Sequence, residues 1–390
     1  MMAVLAAALV LGQTPTTADE AYVRAGKIAK ELKLEAHIEF LKQLVRYQTG
    51  AEKQPPRPFD KFTLATKPTT VRKRITEIMA KVSPWIETGN RLPVAAPEQK
   101  ETLPTSFQFF IRDGFAAAAQ YRFSTGDPRL GIELWRQATD FGLQFERSAL
   151  GIFPATNFHV DQALSELFLY VDGLSAEQLR VVEKQAERLL LPPDYPAIRS
   201  RAHLEQLRSF LPGMFKELQD YMSNIPLGQY AAKIKPEIHP AIRREVYEAA
   251  KKLTEARIAA FGKTESDWYR LKPTSVEPTG GWPKNPVRND QQFVAEYLDW
   301  AMADFLGWNT KRLGRRQSYV RQLILRCKVL RYRWDNDKLP GDLTDVVPLS
   351  ETVDPFSERR FEYEQKWNGF RIWSYWRGTD EILELQAPRN

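Results

Sequence analysis

The stretch TSFQFFIRDGFAAAAQYRFSTGDPRLGIELWRQATDFGLQF, residues 105–145, decides the fold. Two helical segments flank Ser124–Pro128. Gly126 supplies the left-handed residue that ends the first, and Asp127-Pro128 restarts the chain into the second. Leu130, Leu134, Ala138 and Phe141 recur on one stripe of the second segment. A connection this short leaves an antiparallel helical hairpin as the expected arrangement.

The pattern extends in both directions. Towards the N-terminus, Asp19–Gly50 is one long amphipathic segment, with Ile28, Leu32, Leu34, Ile38, Leu41 and Val45 at helical spacing and Gly50 placed to cap its end. Residues 51–68 are proline-rich and read as a linker. Thr70–Val82 is a short helix, and the proline-interrupted residues 83–104 read as a loop. Towards the C-terminus, Asn157–Val171 is helical, and Ser175 with Gln178 three residues on is a capping box opening another helix. Ala197–Met222 and His239–Phe261 are two further helices. Residues 271–289 hold four prolines and two glycines and are the best internal boundary. Beyond them, Asp290–Leu306 is one helix and a second runs through Arg333.

The N-terminal run Met2–Gly12 is apolar or small throughout. It is shorter than the roughly 20 residues that span a bilayer and fits the core of a secretory signal peptide, although no Lys or Arg precedes it. Cleavage after Gly12 or after Ala18 suits the small residues there. No Cys follows the run, which excludes a lipoprotein anchor. Cys327 stands alone among 390 residues, so no internal disulfide forms, and its apolar neighbours make it a core thiol. The expectation is an exported protein stabilised by its core, with no transmembrane segment.

The charge pattern has one anomaly. Net charge is +7, a mixed surface, yet no acidic residue lies between Phe305 and Trp334 while nine basic ones do. Lys311, Arg312, Arg315 and Arg316 are the candidate anion-binding residues of this helix. The competing reading is a solvated basic face compensated by the aspartates that follow Trp334, with Asp335 and Asp337 facing Arg331 and Arg333. The apolar stripe of the helix is Val320, Leu323, Ile324, Cys327, Leu330 and Trp334.

Catalytic patterns are missing. There is no HExxH, CxxC, Gly-Lys-Ser/Thr loop, GxSxG elbow or glycine-rich dinucleotide fingerprint. His37, His159, His203 and His239 are isolated. No catalytic, cofactor-binding or metal-ligating residue is assigned, and no cofactor is expected. With 49 acidic residues, no carboxylate pair is privileged.

The tail reads first from its residues. Asp342 caps a helical turn with Asp345 following, Asp354-Pro355 starts a turn, and Asn368-Gly369 is a hairpin turn. Arg360–Glu364, Phe370–Trp376 and Glu381–Leu385 form a three-stranded meander, with Phe361, Tyr363, Phe370 and Ile372 in its core. The order LRYRWDNDKLPGDLTDV, DPFSERRFEY, FRIWSY resembles the C-terminal region of type II secretion major pseudopilins, at Asn336, Pro340, Asp354-Pro355-Phe356, Phe361, Tyr363 and Ser374-Tyr375. It also resembles the tail of a broad group of exported, mostly helical bacterial proteins without assigned activity. The pseudopilin calcium loop is not reproduced, since Trp376 stands at its glycine and only Asp380 and Glu381 remain. The long N-terminal spine is missing too, so a filament subunit is not expected.

These readings converge on a mainly α protein: an irregular helical-hairpin array or bundle with a small C-terminal antiparallel β-meander. Residues 1–18 are read as signal peptide, 19–270 as the helical domain, 271–289 as linker and 290–390 as helix plus meander. The expected function is that of an exported cell-envelope protein with a structural or binding role, towards an anionic envelope polymer or another envelope protein. The alternative is a polysaccharide-active hydrolase or lyase on a helical ring, marked by two carboxylates roughly 5–10 Å apart in an open cleft. Nucleic-acid binding through residues 311–333 ranks third. Any chemistry belongs in a groove among helices 105–261.

Overall fold

The computed structural model describes residues 15–93, 105–147, 158–192 and 290–386 except Asn368, with isolated positions between 195 and 265. The expected signal peptide, the boundary at 271–289 and nearly all of helices 197–222 and 239–261 lie outside the described residues. The chain is mainly α-helical with a small antiparallel sheet at its C-terminal end, as its sequence implies.

The N-terminal segment is two helices rather than one, α1 (Ala18–Glu31) and α2 (Leu34–Gln48). The break is Lys33, which adopts a left-handed conformation at φ 54°. An unbroken helix of that length would run about 48 Å and leave one end of its apolar stripe uncovered. Folding at Lys33 lets Ala18, Tyr22 and Ala25 of α1 and Leu34, Ile38 and Leu44 of α2 share one core. His37 secures the corner: its Nδ1 donates to the Lys33 carbonyl over 2.7 Å.

The short helix expected at 70–82 extends instead through Pro84, giving α3 (Pro68–Arg91). A proline there removes one backbone hydrogen bond. The burial of Val82, Trp85 and Ile86 offsets that loss, because the apolar stripe continues past the proline. Helices α4 (Thr105–Ser124) and α5 (Pro128–Arg147) form the hairpin read from the sequence, and Gly126 caps it at φ 79°. Leu130, placed on the apolar stripe, is exposed; Ile132 and Trp135 are buried instead. This correction follows from the hairpin serving two cores.

The first core joins α1, α2, α3 and α4 with Phe141 of α5. The second joins Ile132 and Trp135 of α5, α6 (Phe158–Phe168), α7 (Ala176–Glu187), α8 (Asp290–Asn336) and the tail. Residues on either side of 271–289 thus share one core. Ser175 and Gln178 make the expected capping box on α7. α8 is one helix of 47 residues where two were expected. Gly314 does not end it, since that glycine is covered by Phe356.

After α8, Asp342 and Asp345 form a reciprocal cap on a helical turn. A short pair follows, β1 (Val353–Asp354) with β2 (Arg359–Arg360), which the sequence reading did not anticipate. The meander is β3 (Glu362–Lys366), β4 (Gly369–Tyr375) and β5 (Ile382–Leu383), in the order β3-β4-β5. Phe361, Phe370 and Ile372 are buried as expected, and Tyr363 is half-buried with its hydroxyl donating to the Pro340 carbonyl. Lys366 pairs with Gly369, so Gly369 belongs to β4 rather than to the expected Asn-Gly turn, whose Asn368 lies outside the described residues. Trp367, which follows β3, is 96% exposed.

Candidate functional site

The basic helix turns most of its described charges inward. Arg315 bonds Asp161 of α6 over 2.9 Å, and Arg321 grips Glu265 through both terminal nitrogens. Arg326 reaches Asp172 and stacks between Phe168 and Phe370, at 4.6 and 4.7 Å from their centroids. Lys328 pairs with Glu351, and Arg331 with Glu183 of α7. Arg316 is buried at 1% exposure. Of the four candidate anion-binding residues, Arg315 is half-buried and paired, Arg316 is buried, and the side chains of Lys311 and Arg312 lie outside the described residues. The compensating acids come from other elements, so the expected facing of Arg331 by Asp335 is corrected to Glu183. Trp334 leaves the apolar stripe and is 56% exposed, its indole N–H donating to the Leu174 carbonyl.

The tail is fastened to α8 by a polar clasp. Asp354 is fully buried and accepts from Ser318 of α8 at 3.0 Å, from Ser374 of β4 at 2.6 Å and from the Phe356 backbone N–H at 3.1 Å. Burial raises its pKa above the ordinary aspartate value, against these donors and Arg321. Gln322 adds two bonds, donating to the Leu383 carbonyl and accepting from the Leu385 N–H. Every partner is internal, so this cluster is structural. Among the described residues no group of three or more His, Cys, Asp or Glu is placed to hold a metal.

Open hydrogen-bonding capacity gathers elsewhere, in a groove of about 500 Å³ bounded by α2, α3, α4 and α6. Helical spacing places its walls: Ile38, Leu41, Lys42 and Val45 share one face of α2, and Asp113, Ala116, Ala117 and Gln120 share one face of α4. Gln162 and Glu166, four apart on α6, point in from the opposite side, and Arg72 of α3 completes the site. The groove continues past Gln120, Gln162 and Glu166 into a slot of about 20 Å³ lined by Ala119, Phe123 and Tyr170. That slot has room for roughly one water. Phe123 and Tyr170 stack there at 4.5 Å.

The charges within the groove differ in their commitments. Lys42 binds one oxygen of Asp113 and Arg112 binds the other, each at 2.7 Å. Both lone-pair sets of that buried carboxylate are thus engaged by cations. Glu166 accepts from the Gln120 amide. Its pKa is raised, chiefly by burial and further by the charge of Asp113, while Gln120, Gln162 and Arg72 act in the opposite sense. Arg72 is half-buried, its Nε is shielded from solvent, and its side chain has no hydrogen-bond or ion-pair partner among the described residues.

A second concavity of about 360 Å³ lies between α3 and α5. There Arg136 is clamped by Glu133 and Asp140, so its cation is already answered. Comparison with protein-family models, curated proteins and solved structures finds no match to this chain.

Sequence reasoning had pointed to a groove among helices 105–261 but named none of its residues. More than half of the site comes from α2 and α3, outside that range, because the Lys33 corner carries α2 back against α4. The spacing of Gln162 and Glu166, and of Asp113, Ala116 and Gln120, was visible in the sequence; their convergence was not.

Proposed function

We propose that this chain is an exported cell-envelope protein that binds its partner in the α2–α3–α4–α6 groove and performs no catalysis there. One observation carries the reading: side chains from four helices bring Lys42, Arg72, Gln120, Gln162 and Glu166 to one open concavity of ligand-binding size. The two carboxylates that a glycosidase would require are unequal to the task. Asp113 is buried with each oxygen held by a cation, a structural ion pair rather than a carboxylate presented to a substrate. The basic helix is a weaker surface, because Arg315, Arg321, Arg326, Lys328 and Arg331 already hold internal acids. The tail's likeness to pseudopilin C-terminal regions belongs to this reading as a shared building plan, a short sheet closing a long helix.

Export is part of the same proposal. No described helix is long and apolar enough to cross a membrane. Of the two cleavage positions, Gly12 leaves α1 intact, since Thr17 caps that helix by accepting from the Glu20 N–H and Ala18 is buried in the first core.

The test is co-sedimentation of the purified chain with isolated cell-envelope polysaccharide, repeated with Ala116→Trp. Ala116 is half-exposed on the groove wall, so an indole there fills the groove. Binding that the tryptophan abolishes supports the proposal. Binding unaffected by it removes the groove from the reading, and no binding by the unaltered chain overturns it. Glycan cleavage lost in Asp113→Asn or Glu166→Gln would replace it with the hydrolase reading.

A further inference from the structure

The groove's side chains define the class of ligand more narrowly, and this step rests on the binding role proposed above. Three cations line it. Lys42 is paired with Asp113 at 2.7 Å, a carboxylate it shares with Arg112, and Arg46 lies 3.7 Å from Glu52. Arg72 alone among them has no ion-pair partner within the described residues. Its Nε is buried without an acceptor, which is costly unless a bound group supplies one. Glu166 feels the Arg72 charge electrostatically without a bond to it, and its own hydrogen bonds come from Gln120 and Gln162. A guanidinium half-sunk in a groove wall, beside an acid engaged elsewhere, is arranged to receive one carboxylate from outside.

The rest of the lining is not that of an acidic-peptide site. Gln43, Gln120 and Gln162 contribute neutral amides, each both donor and acceptor, which match hydroxyl groups. The stacked faces of Phe123 and Tyr170 border the adjoining slot. An acidic peptide would need a basic patch along its whole length, and here Glu39, Asp113 and Glu166 oppose it. We infer that the groove binds a carboxylate-bearing oligosaccharide, with one uronate-type carboxylate on Arg72 and the sugar hydroxyls on Gln120 and Gln162. No bond is made or broken, and the complex is reversible.

Calorimetry on the full chain with galacturonate, mannuronate and glucuronate oligomers, beside their neutral methyl esters, tests this. An acid form should bind about 10- to 100-fold tighter than its ester, the range expected for one charge-assisted bidentate contact. Arg72→Gln should remove that preference while leaving the ester's affinity within about threefold. Arg72→Lys should retain part of it, which separates lost charge from lost fold; thermal melts of both variants check folding. Equal affinity of acid and ester for the unaltered chain overturns the inference, as does an unchanged preference in Arg72→Gln. A glutamate-rich peptide that binds more tightly than every oligomer also overturns it, in favour of a protein partner. If envelope polysaccharide binds and Ala116→Trp blocks it while Arg72→Gln changes nothing, the groove reading survives and only the acidic-sugar assignment fails.

Discussion

Phe356 packs directly against Gly314: a Cβ built on that glycine would stand 2.2 Å from Cδ2 of the ring. The tail therefore docks on α8 by ring-to-backbone contact, at a position where α8 has no side chain. In an open helix, replacing glycine with alanine stabilises by about 1 kcal/mol. Here Gly314→Ala should instead destabilise by about 1–3 kcal/mol, because the ring has to move out of a packed site. Urea unfolding measures it. A Phe356→Leu background should restore much of the loss, and a Gly314→Ala variant as stable as the parent would show that the docking is loose.

The Asp354 clasp makes a pH-dependent contribution of definite sign. Burial raises its folded pKa above the unfolded value, so the folded state holds more protons over that interval. Stability should then fall as pH rises from the ordinary aspartate range through the folded pKa. Asp354→Asn should flatten that fall. Asp354→Ala leaves the Ser318 and Ser374 hydroxyls without their acceptor and should cost about 1–3 kcal/mol at neutral pH. Chemical denaturation across pH 3–8 distinguishes the two variants.

His37 acts in the opposite sense. It is buried edge-on between Phe59 and Phe62, and burial first, with Arg74 and Lys33 adding, lowers its pKa despite the Lys33 carbonyl and Asp60. A depressed folded pKa means the unfolded chain takes up the proton first. Stability should decline as pH drops below about 6.5, the unfolded value. His37→Gln should remove that slope, read as the change of Tm between pH 7.5 and 5.5. An unaltered slope would place the responsible group elsewhere.

Glu166 should set the pH response of the groove. Its raised pKa means that it keeps its proton to a higher pH than an ordinary glutamate, over an interval in which a uronate is charged. As pH rises, the ionised Glu166 competes for Arg72 and, with Asp113, repels the ligand; Tyr170 keeps its proton throughout. Affinity for uronate oligomers should therefore fall as pH rises from 5 to 8. Glu166→Gln should bind equally at both, measured by calorimetry.

The proposed export gives a further check at the amino terminus. N-terminal sequencing should begin at Gln13, with Thr17 retained. Thr17→Ala should lower stability by about 1 kcal/mol through loss of the α1 cap. A mature chain beginning at Asp19 would contradict this assignment.

Local chemistry made several elements legible from residue order alone. Gly126 with Asp127-Pro128, Ser175 with Gln178, and Asp342 with Asp345 act within one turn of chain, and each appears as read. The alternation of Phe361, Phe370 and Ile372 marked the tail's buried face for the same reason. Lys33, Pro84 and the continuous α8 were not legible, because local preference opposes each and burial against distant helices outweighs it.

The candidate site divides along the same line. Sequence alone determined that α4 and α6 present Gln120, Gln162 and Glu166 at helical spacing, and that α8 is basic. Only the tertiary structure decided that Arg315, Arg326, Arg331 and Arg321 of α8 are spent on Asp161, Asp172, Glu183 and Glu265, while Arg72 lines an open groove with no hydrogen-bond or ion-pair partner for its side chain among the described residues. The charge of a side chain is written in its residue type. Whether that charge is already answered depends on what long-range packing places within about 4 Å of it.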